Sequence, residues 1–402
     1  MQNLTRRGAL TLGAALGLAA VADPAKAWAW SSANSIAATN TVTDPWSVWD
    51  DDTDPLVASL LDAGQIPAVN TAFQSWINNG DALPSGLPAN LVTYLQQFNK
   101  LPSWADTTKL ANAAKFNKRV SFYLFMLYGL GSGIMSTVIP REARNVYYSA
   151  GGSDMKTRAA KTFTYGYDLS AADAFLPTGH FITTSNKTRL THAAVRHLLP
   201  QSAKWRSVTD NAIPISNGDI LITFHSLGTF VHRKLKSWGV RMSATEEAAY
   251  LHQWQVALHL LGVRDEFIPA TWAAADDQSN YVLTPLLAPT PEGIDLANTL
   301  LNLVAQVDGG LTRGLQREFA RYVLSDKIGD WLKLPRDYVA RGLLDVGWPA
   351  YVAFQEGLSP IIPSGFNLMD QLVRGVAMLF LNNGTSASYT PITIPTGNRA
   401  GA

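Results

Sequence analysis

Apolar residues recur along most of this chain at intervals of three and four, which is the spacing of amphipathic helices. The clearest helix is EEAAYLHQWQVALHLLG, which begins with a capping box of Ser243 and Glu246 and stops at Gly262. Similar patterns occur in DTDPLVASLLDAG, PAVNTAFQSWINNG, PANLVTYLQQFN, DTTKLANAAKFNKR, RLTHAAVRHLL, GIDLANTLLNLVAQV, GLTRGLQREFARYVLSDKIGDWL, PRDYVARGLL and NLMDQLVRGVAMLFLNN. Strand signals are sparse, and GDILITF is the strongest of them. We therefore predict an all-α fold without internal repeats.

The N-terminus has the pattern of a twin-arginine export signal. A pair of arginines precedes a moderately apolar run in TRRGALTLGAALGLAAVA, and small-residue cleavage patterns end at Ala27 or Ala29. A retained anchor helix is the alternative, but the run is short and rich in Gly and Ala. We assign 1–29 to a signal peptide and 30–402 to a single helical domain, and we expect a secreted protein that folds, with any cofactor, before export.

An uncharged run from Val120 to Pro140 is long enough to span a bilayer. It contains Gly129, Gly131 and Gly133 with several Ser and Thr residues, so we expect it to break midway. A membrane span is the alternative, although it agrees poorly with export of a folded protein. The prediction is a buried helix pair that lines a cavity.

The chain contains no cysteine, so a secreted form must be stabilised by its core rather than by disulfides. The same absence excludes iron–sulfur clusters, thiolate-ligated or covalent c-type haem, and zinc-thiolate sites. Any transition metal must therefore rely on His, carboxylates or less usual nitrogen ligands. The formal net charge of +1 argues against a nucleic-acid partner. Neither a nucleophile elbow, a P-loop, an HExxH motif nor paired ExxH motifs are present.

Three polar residues of the segment TRAAKT share one helical face. Arg158, Lys161 and Thr162 stand at positions i, i+3 and i+4. One interpretation is an exposed basic face, which the pattern alone slightly favours. The other is a cluster that points into a pocket, where Arg158 meets an anionic group and Lys161 loses its proton through desolvation.

Glu142 follows directly on the uncharged run, in IPREAR. At the mouth of an apolar cavity its pKa would be raised, and the carboxylate could act as a base. A surface carboxylate at a helix start after Pro140 is the simpler alternative, which the pattern alone favours.

Two histidines lie five residues apart in the helical segment RLTHAAVRHLL. Side chains at this spacing point about 140° apart, so one metal ion can hardly take both rings. His192 and His197 each lie on an apolar face, and periodicity does not choose between them. His252 and His259 lie seven residues apart on one helical face, and we expect core or supporting roles for them; the pattern around His225 and His232 is less specific still.

The combination of Glu142, the Arg158-Ala-Ala-Lys161-Thr162 motif and His192 about thirty residues later resembles the latex clearing proteins of actinobacteria, which are secreted rubber oxygenases. The resemblance covers essentially the whole mature chain, and every residue of the motif is present. It implies a globin-like helical core with additional peripheral helices, which holds one non-covalent b-type haem and its iron.

The resemblance also implies a role for each residue of the motif. His192 corresponds to the proximal ligand of the haem iron, and Lys161 to a distal ligand in a closed state. Arg158 and Thr162 correspond to pocket residues that support haem placement and activity. Glu142 corresponds to a base. On this basis His192, rather than the second histidine of its helix, is the iron ligand.

The activity that the resemblance implies is internal cleavage of cis-1,4-polyisoprene with O₂. The products are oligo-isoprenoids with an aldehyde at one end and a ketone at the other. Because this substrate has no polar handle, a hydrophobic channel must position it. We expect a monomer that binds neither nucleic acid nor, stably, a membrane.

Two other functions agree with the same residues. One is a haem oxygenase that acts on a small prenylated or lipid substrate. The other is a haem- or isoprenoid-binding protein without turnover. Histidine and lysine ligands would also accept copper, so the pattern alone does not identify the metal as iron.

Overall fold

The computed structural model describes residues 28–41, 43–149, 162, 165–166, 168–209, 212–307, 309–359, 373 and 392–399. Within them the protein is all-α, as predicted, and contains isolated β-bridges but no strand. The helices are α1 (Asp54–Asp62), α2 (Ile66–Ala72), α3 (Ala89–Phe98), α4 (Thr107–Arg119), α5 (Ser121–Met126), α6 (Pro140–Tyr148), α7 (Phe181–Leu198), α8 (Ala203–Val208), α9 (Asn217–Phe224), α10 (Phe230–Ser237), α11 (Ala244–Leu260), α12 (Trp272–Val282), α13 (Pro291–Val307), α14 (Arg313–Leu324), α15 (Asp326–Trp331) and α16 (Tyr338–Gln355).

Helix α11 confirms the capping signals of its sequence. The Ser243 hydroxyl accepts from the Glu246 N–H at 3.3 Å, and the Glu246 carboxylate accepts from the Ser243 N–H at 2.9 Å. Beyond the helix, Gly262 has φ of +87°, a conformation that L side chains rarely adopt. A Cβ there would also lie 2.5 Å from the Asp50 carboxylate, so both conformation and packing require glycine.

The predicted strand GDILITF is wrong, because these residues form most of α9. Ser216 and Asp219 make a capping box that starts a helix at Asn217. Every residue of α9 except Thr223 is buried, so the helix has no polar face to produce a three-to-four periodicity. A short helix buried on all sides carries the same apolar run as a buried strand, and the sequence pattern does not separate the two.

The uncharged run is buried as predicted, but the predicted break is wrong. After α5 the chain continues as a π-helix from Leu127 to Ser132 and stays helical to Val138. The stretch Ser121–Val138 is long and apolar enough to cross a membrane, yet 72% of it is buried inside the protein. Glycine here allows close packing rather than a break, since a Cβ on Gly131 would lie 2.9 Å from the Phe230 ring.

A second π-helix, His225–Thr229, joins α9 to α10 and packs against the first one. Its Gly228 approaches the Phe224 ring so closely that a Cβ would lie 2.7 Å from it. Single π-helical turns inside α-helices are rare and occur often at functional sites. Two π-helical segments in contact therefore indicate a functional site in this part of the core.

Helix α7 lies between two apolar clusters. Phe181 and Val195 belong to the larger cluster, which includes the two π-helical segments, α11 and α14. Leu190, Ala193 and Ala194 belong to a smaller cluster formed with α1, α2 and α3. Burial against two cores holds α7 on both sides, which suits a helix that presents a ligand.

Some predicted elements lie outside the described residues. These are the signal segment up to residue 27 and the helix predicted for NLMDQLVRGVAMLFLNN, of which only Val373 is described, as a buried residue. The predicted segment GLTRGLQREFARYVLSDKIGDWL forms two helices, α14 and α15, which are separated at Ser325, where φ is +125°.

Candidate active site

Glu142 lies in the first turn of α6, directly after Pro140. Its carboxylate faces α9, where the Thr223 hydroxyl donates to Oε1 at 2.5 Å. Thr223 is the least buried residue of α9 and stands two positions before the π-helix. The carboxylate predicted as a base is therefore held by one hydroxyl on a neighbouring helix.

Thr223 has a single hydrogen and two acceptors within reach. The Asp219 carbonyl oxygen lies 3.1 Å from its hydroxyl, so Thr223 donates either to that carbonyl or to the Glu142 carboxylate. A protonated Glu142 would donate its own hydrogen to Thr223, which would then donate to the carbonyl. The pair can thus satisfy its hydrogen bonds in both protonation states of Glu142.

The pKa of Glu142 is raised to about 8, chiefly by burial; the Thr223 hydrogen bond lowers it and the nearby Asp219 charge adds a smaller upward contribution. Part of the Glu142 side chain is still accessible, but enough protein surrounds the carboxyl to disfavour its ionised form. A carboxyl that titrates near neutral pH can both accept and release a proton during turnover. Glu142 thus stands at a helix start after Pro140, as the simpler alternative supposed, but it is partly buried and hydrogen-bonded to a neighbouring helix.

We expect Glu142→Gln to stabilise the protein at alkaline pH and to change its stability little at acid pH. The folded-state pKa of about 8 exceeds the ordinary value of 4.5, so the unfolded chain releases this proton first. Stability is therefore lost as the pH rises between those values. Glutamine has the same size and cannot ionise. Thermal unfolding of both proteins at about pH 5 and about pH 9 measures the difference, and equal differences in Tm at the two pH values would contradict this expectation.

His192 is partly buried in the middle of α7, next to Ala193 and Ala194 of the smaller core cluster. The helix is held against α1 and the loop before it by two buried arginines. Arg189 donates to Asp50 at 2.6 and 2.8 Å, and Arg196 donates to Asp54 at 2.7 Å. These ion pairs fix the position of the helix independently of the histidine itself.

The second histidine of α7 contacts a different element. The His197 Nε2 lies 3.5 Å from the Asp62 carboxylate at the end of α1, and its side chain is partly exposed. His197 therefore makes an inter-helical contact with α1.

The described residues contain no cluster of three or more His, Cys, Asp or Glu side chains that could hold a metal ion. Among these residues His192 is thus not part of a metal site built from protein side chains alone. A porphyrin supplies four nitrogens and requires one protein imidazole, so the donor chemistry of this chain fits a haem.

Two residues of the predicted motif, Arg158 and Lys161, lie outside the described residues, and their roles stay predictions. Thr162 is helical, and its side chain is exposed.

The structure brings Glu142 and Thr223 together. Thr223 and Asp219 were missed by sequence reasoning because their contacts join residues 81 and 78 positions apart.

His225 is fully buried in the second π-helix, and burial lowers its pKa to about 3. The Gln278 amide donates to the Phe267 carbonyl at 2.9 Å, so its oxygen is left to accept from His225 Nε2, also at 2.9 Å. Nδ1 then accepts from the Thr229 hydroxyl at 2.8 Å. The Gln278 bond joins the π-helix to α12, the Thr229 bond lies within the π-helix, and together they stabilise it around a neutral histidine.

Three further histidines also have structural partners. The partners are a Trp272 ring stacked on His232 at 4.0 Å, the Asp106 N–H donating to His252 at 2.8 Å, and the Asp265 carboxylate 2.7 Å from His259.

Comparison with known proteins places these features in a family context. A family model described as "ER-bound oxygenase mpaB/B'/Rubber oxygenase, catalytic domain" matches residues 119–354. A protein of Streptomyces sp. (strain K30) described as a rubber oxygenase is 48% identical over 395 residues, which is 98% of this chain and 96% of that protein. A solved structure of latex clearing protein in the closed state matches with a TM-score of 0.87 and 48% identity, and covers 92% of this chain and 100% of that one.

Proposed function

Because this chain belongs to the rubber oxygenase family, we propose that it cleaves the double bonds of cis-1,4-polyisoprene internally with O₂. The products would be oligo-isoprenoids with an aldehyde at one end and a ketone at the other. The observation that carries the proposal is the 48% identity to a rubber oxygenase over nearly the full length of both chains. A partly buried carboxyl with a raised pKa of about 8 agrees with a role as a base.

In this reaction Glu142 would accept an allylic proton from the bound chain. The Thr223 hydroxyl donates to Oε1 of Glu142, so Oε2 is the oxygen that would face the substrate. Ionised Glu142 is the active form of such a base, and it is a stronger base than an exposed carboxylate because burial disfavours its charge. When Glu142 becomes protonated, the Thr223 hydroxyl can turn and donate to the Asp219 carbonyl instead.

The proposed cofactor is one non-covalent haem b. When bound, the haem would supply the binding and activation of O₂. His192 would hold the haem iron through its imidazole, as the family motif implies, and two ion pairs hold its helix in place. Lys161 would be a distal ligand in a closed state, as a neutral amine. Arg158 and Thr162 would support haem placement.

We further propose that the protein is a secreted monomer that does not insert stably into a membrane. The burial of Ser121–Val138 supports the last point. Trp30 is buried and donates to the Ala274 carbonyl at 3.1 Å, and Trp28 packs against Phe267. Signal cleavage after Ala27 would keep both tryptophans, so we favour that site over Ala29.

A small prenylated or lipid substrate is the second candidate, since the matching family model is not restricted to rubber oxygenases and also covers ER-bound oxygenases. Oxygen uptake by the purified, haem-containing protein separates the two. We expect uptake to begin when polyisoprene latex is added and to remain at the background rate with a short prenyl alcohol. Uptake with the prenyl alcohol alone would overturn the polymer assignment, and no uptake with either would favour a binding protein without turnover.

Lys161→Ala should leave the haem bound and change the absorption spectrum of the resting protein. If Lys161 occupies the sixth position of the iron, its removal leaves a water-bound or five-coordinate iron. The spectra of wild type and variant are compared from acid to alkaline pH. Identical spectra at every pH would contradict lysine ligation.

A further inference from the structure

Two consecutive residues of α6 bind one face of α9. Arg141 donates to both carboxylate oxygens of Asp219, at 2.5 and 2.7 Å, and Glu142 accepts from Thr223 one helical turn further along. The guanidinium also lies over the Trp46 ring, 5.1 Å from its centroid. The first turn of α6 is thereby clamped at two points against α9.

Asp219 is fixed from its own side as well. Its carboxylate accepts from the Ser216 N–H at 2.9 Å and from the Ser216 hydroxyl at 3.0 Å. Its side chain is 10% exposed and that of Arg141 is 30% exposed, so solvent screens the pair only in part. A bidentate, charge-assisted pair of this kind is geometrically specific.

We propose that the Arg141–Asp219 ion pair is a positioning device for Glu142: it docks α6 on α9 and holds the Arg141 charge on Asp219, so that this neighbouring cation does not pair with Glu142. This inference rests on the proposed base role of Glu142. An arginine next in sequence to a catalytic carboxylate would otherwise stabilise its ionised form and weaken it as a base.

The charges on the other sides of α6 have partners of their own. Arg144 lies 3.7 Å from Glu292 of α13, and that carboxylate also accepts from Tyr148 at 2.7 Å. From α8, Arg206 donates to a backbone carbonyl and Lys204 is exposed. The uncharged helical run before α6 contributes no charge.

The lysine and arginine of the TRAAKT motif lie outside the described residues. Among the described groups, Asp219 is the one whose charge acts on the pKa of Glu142, and it raises that pKa.

The test uses two variants that break the same ion pair and leave opposite charges. Asp219→Asn removes the anion and leaves Arg141 as an unpaired cation near Glu142. Arg141→Met removes the cation and leaves Asp219 as an unpaired anion. We expect the acid limb of polyisoprene cleavage per haem to move to lower pH in the first and to higher pH in the second, by about one pH unit or more. The double variant, which carries neither charge, should titrate between the two.

An infrared measurement follows the same group without turnover. The protonated-carboxyl band that disappears in Glu142→Gln is titrated in the wild-type holoprotein and in the three variants, and it should shift in the same directions. This readout separates failure of the inference from failure of the proposed function, because it does not depend on substrate. Shifts of both single variants in one direction, or no shift in either method, would overturn the positioning role. A loss of thermal stability alone, with an unshifted band, would show a purely structural ion pair.

Discussion

Replacing His192 with alanine is expected to remove the haem, whereas His197→Ala should keep nearly all of it. His192 is the one imidazole among the residues proposed to hold the haem, and we expect the non-covalent contacts that remain without it to be too weak to retain the cofactor. His197 faces Asp62 at 3.5 Å and has no part in this site. Haem content per protein, from the absorption of a pyridine extract, measures both variants.

The two variants are a matched pair because both change one histidine of α7. The ion pairs of Arg189 with Asp50 and of Arg196 with Asp54 remain in each, so the helix should stay folded. Circular dichroism checks that point. Equal haem content in the wild type and His192→Ala would refute the ligand assignment.

Glu142→Gln is expected to retain haem and to lower turnover by about 10²–10⁴-fold, the usual range for loss of a general base. The amide preserves the size of the side chain and can still accept from Thr223. The wild type should show an acid limb near its pKa of about 8, because burial holds the proton on the carboxyl, and the variant should lack that limb. Initial rates per haem across the pH range measure both effects.

Glu292→Gln is the control for this variant. Glu292 is also a buried carboxylate, and its partners are Arg144 and Tyr148 rather than the proposed base. Its rate per haem should stay within a few-fold of the wild type. A haem-replete Glu142→Gln with near-normal turnover would exclude the base role and leave the carboxylate as a structural partner of Thr223.

The helical character of the fold was predictable where helices carry their own local signals. The capping box of Ser243 and Glu246 and the stop at Gly262 define α11 from sequence alone. Helix α9 was mispredicted because burial on all sides removes the periodicity on which such predictions depend. Its capping box, Ser216 with Asp219, was present in the sequence and would have identified it.

The site was only partly predictable, for a different physical reason. Glu142 and His192 were identified through a family motif, and the family assignment is confirmed by the 48% identity to a rubber oxygenase. The partners that set the chemistry of Glu142 come from α9, about eighty positions away. Contacts at that separation leave no spacing signal in one sequence.

The π-helix around Gly131 was interpreted as a break for a similar reason. A glycine in a sequence can mark either close helix packing or a chain reversal, and the pattern alone does not separate them.

The central claim is oxidative cleavage of polyisoprene, and mass spectrometry of the products formed under ¹⁸O₂ tests it most directly. Purified, haem-containing protein is incubated with cis-1,4-polyisoprene latex, and the carbonyls are trapped by reduction as they form. We expect a series of oligomers that differ by one isoprene unit, each with one former aldehyde and one former ketone, and with label at both ends. Haem-replete protein that yields no such oligomers, or oligomers whose new oxygens both come from water, would contradict the assignment.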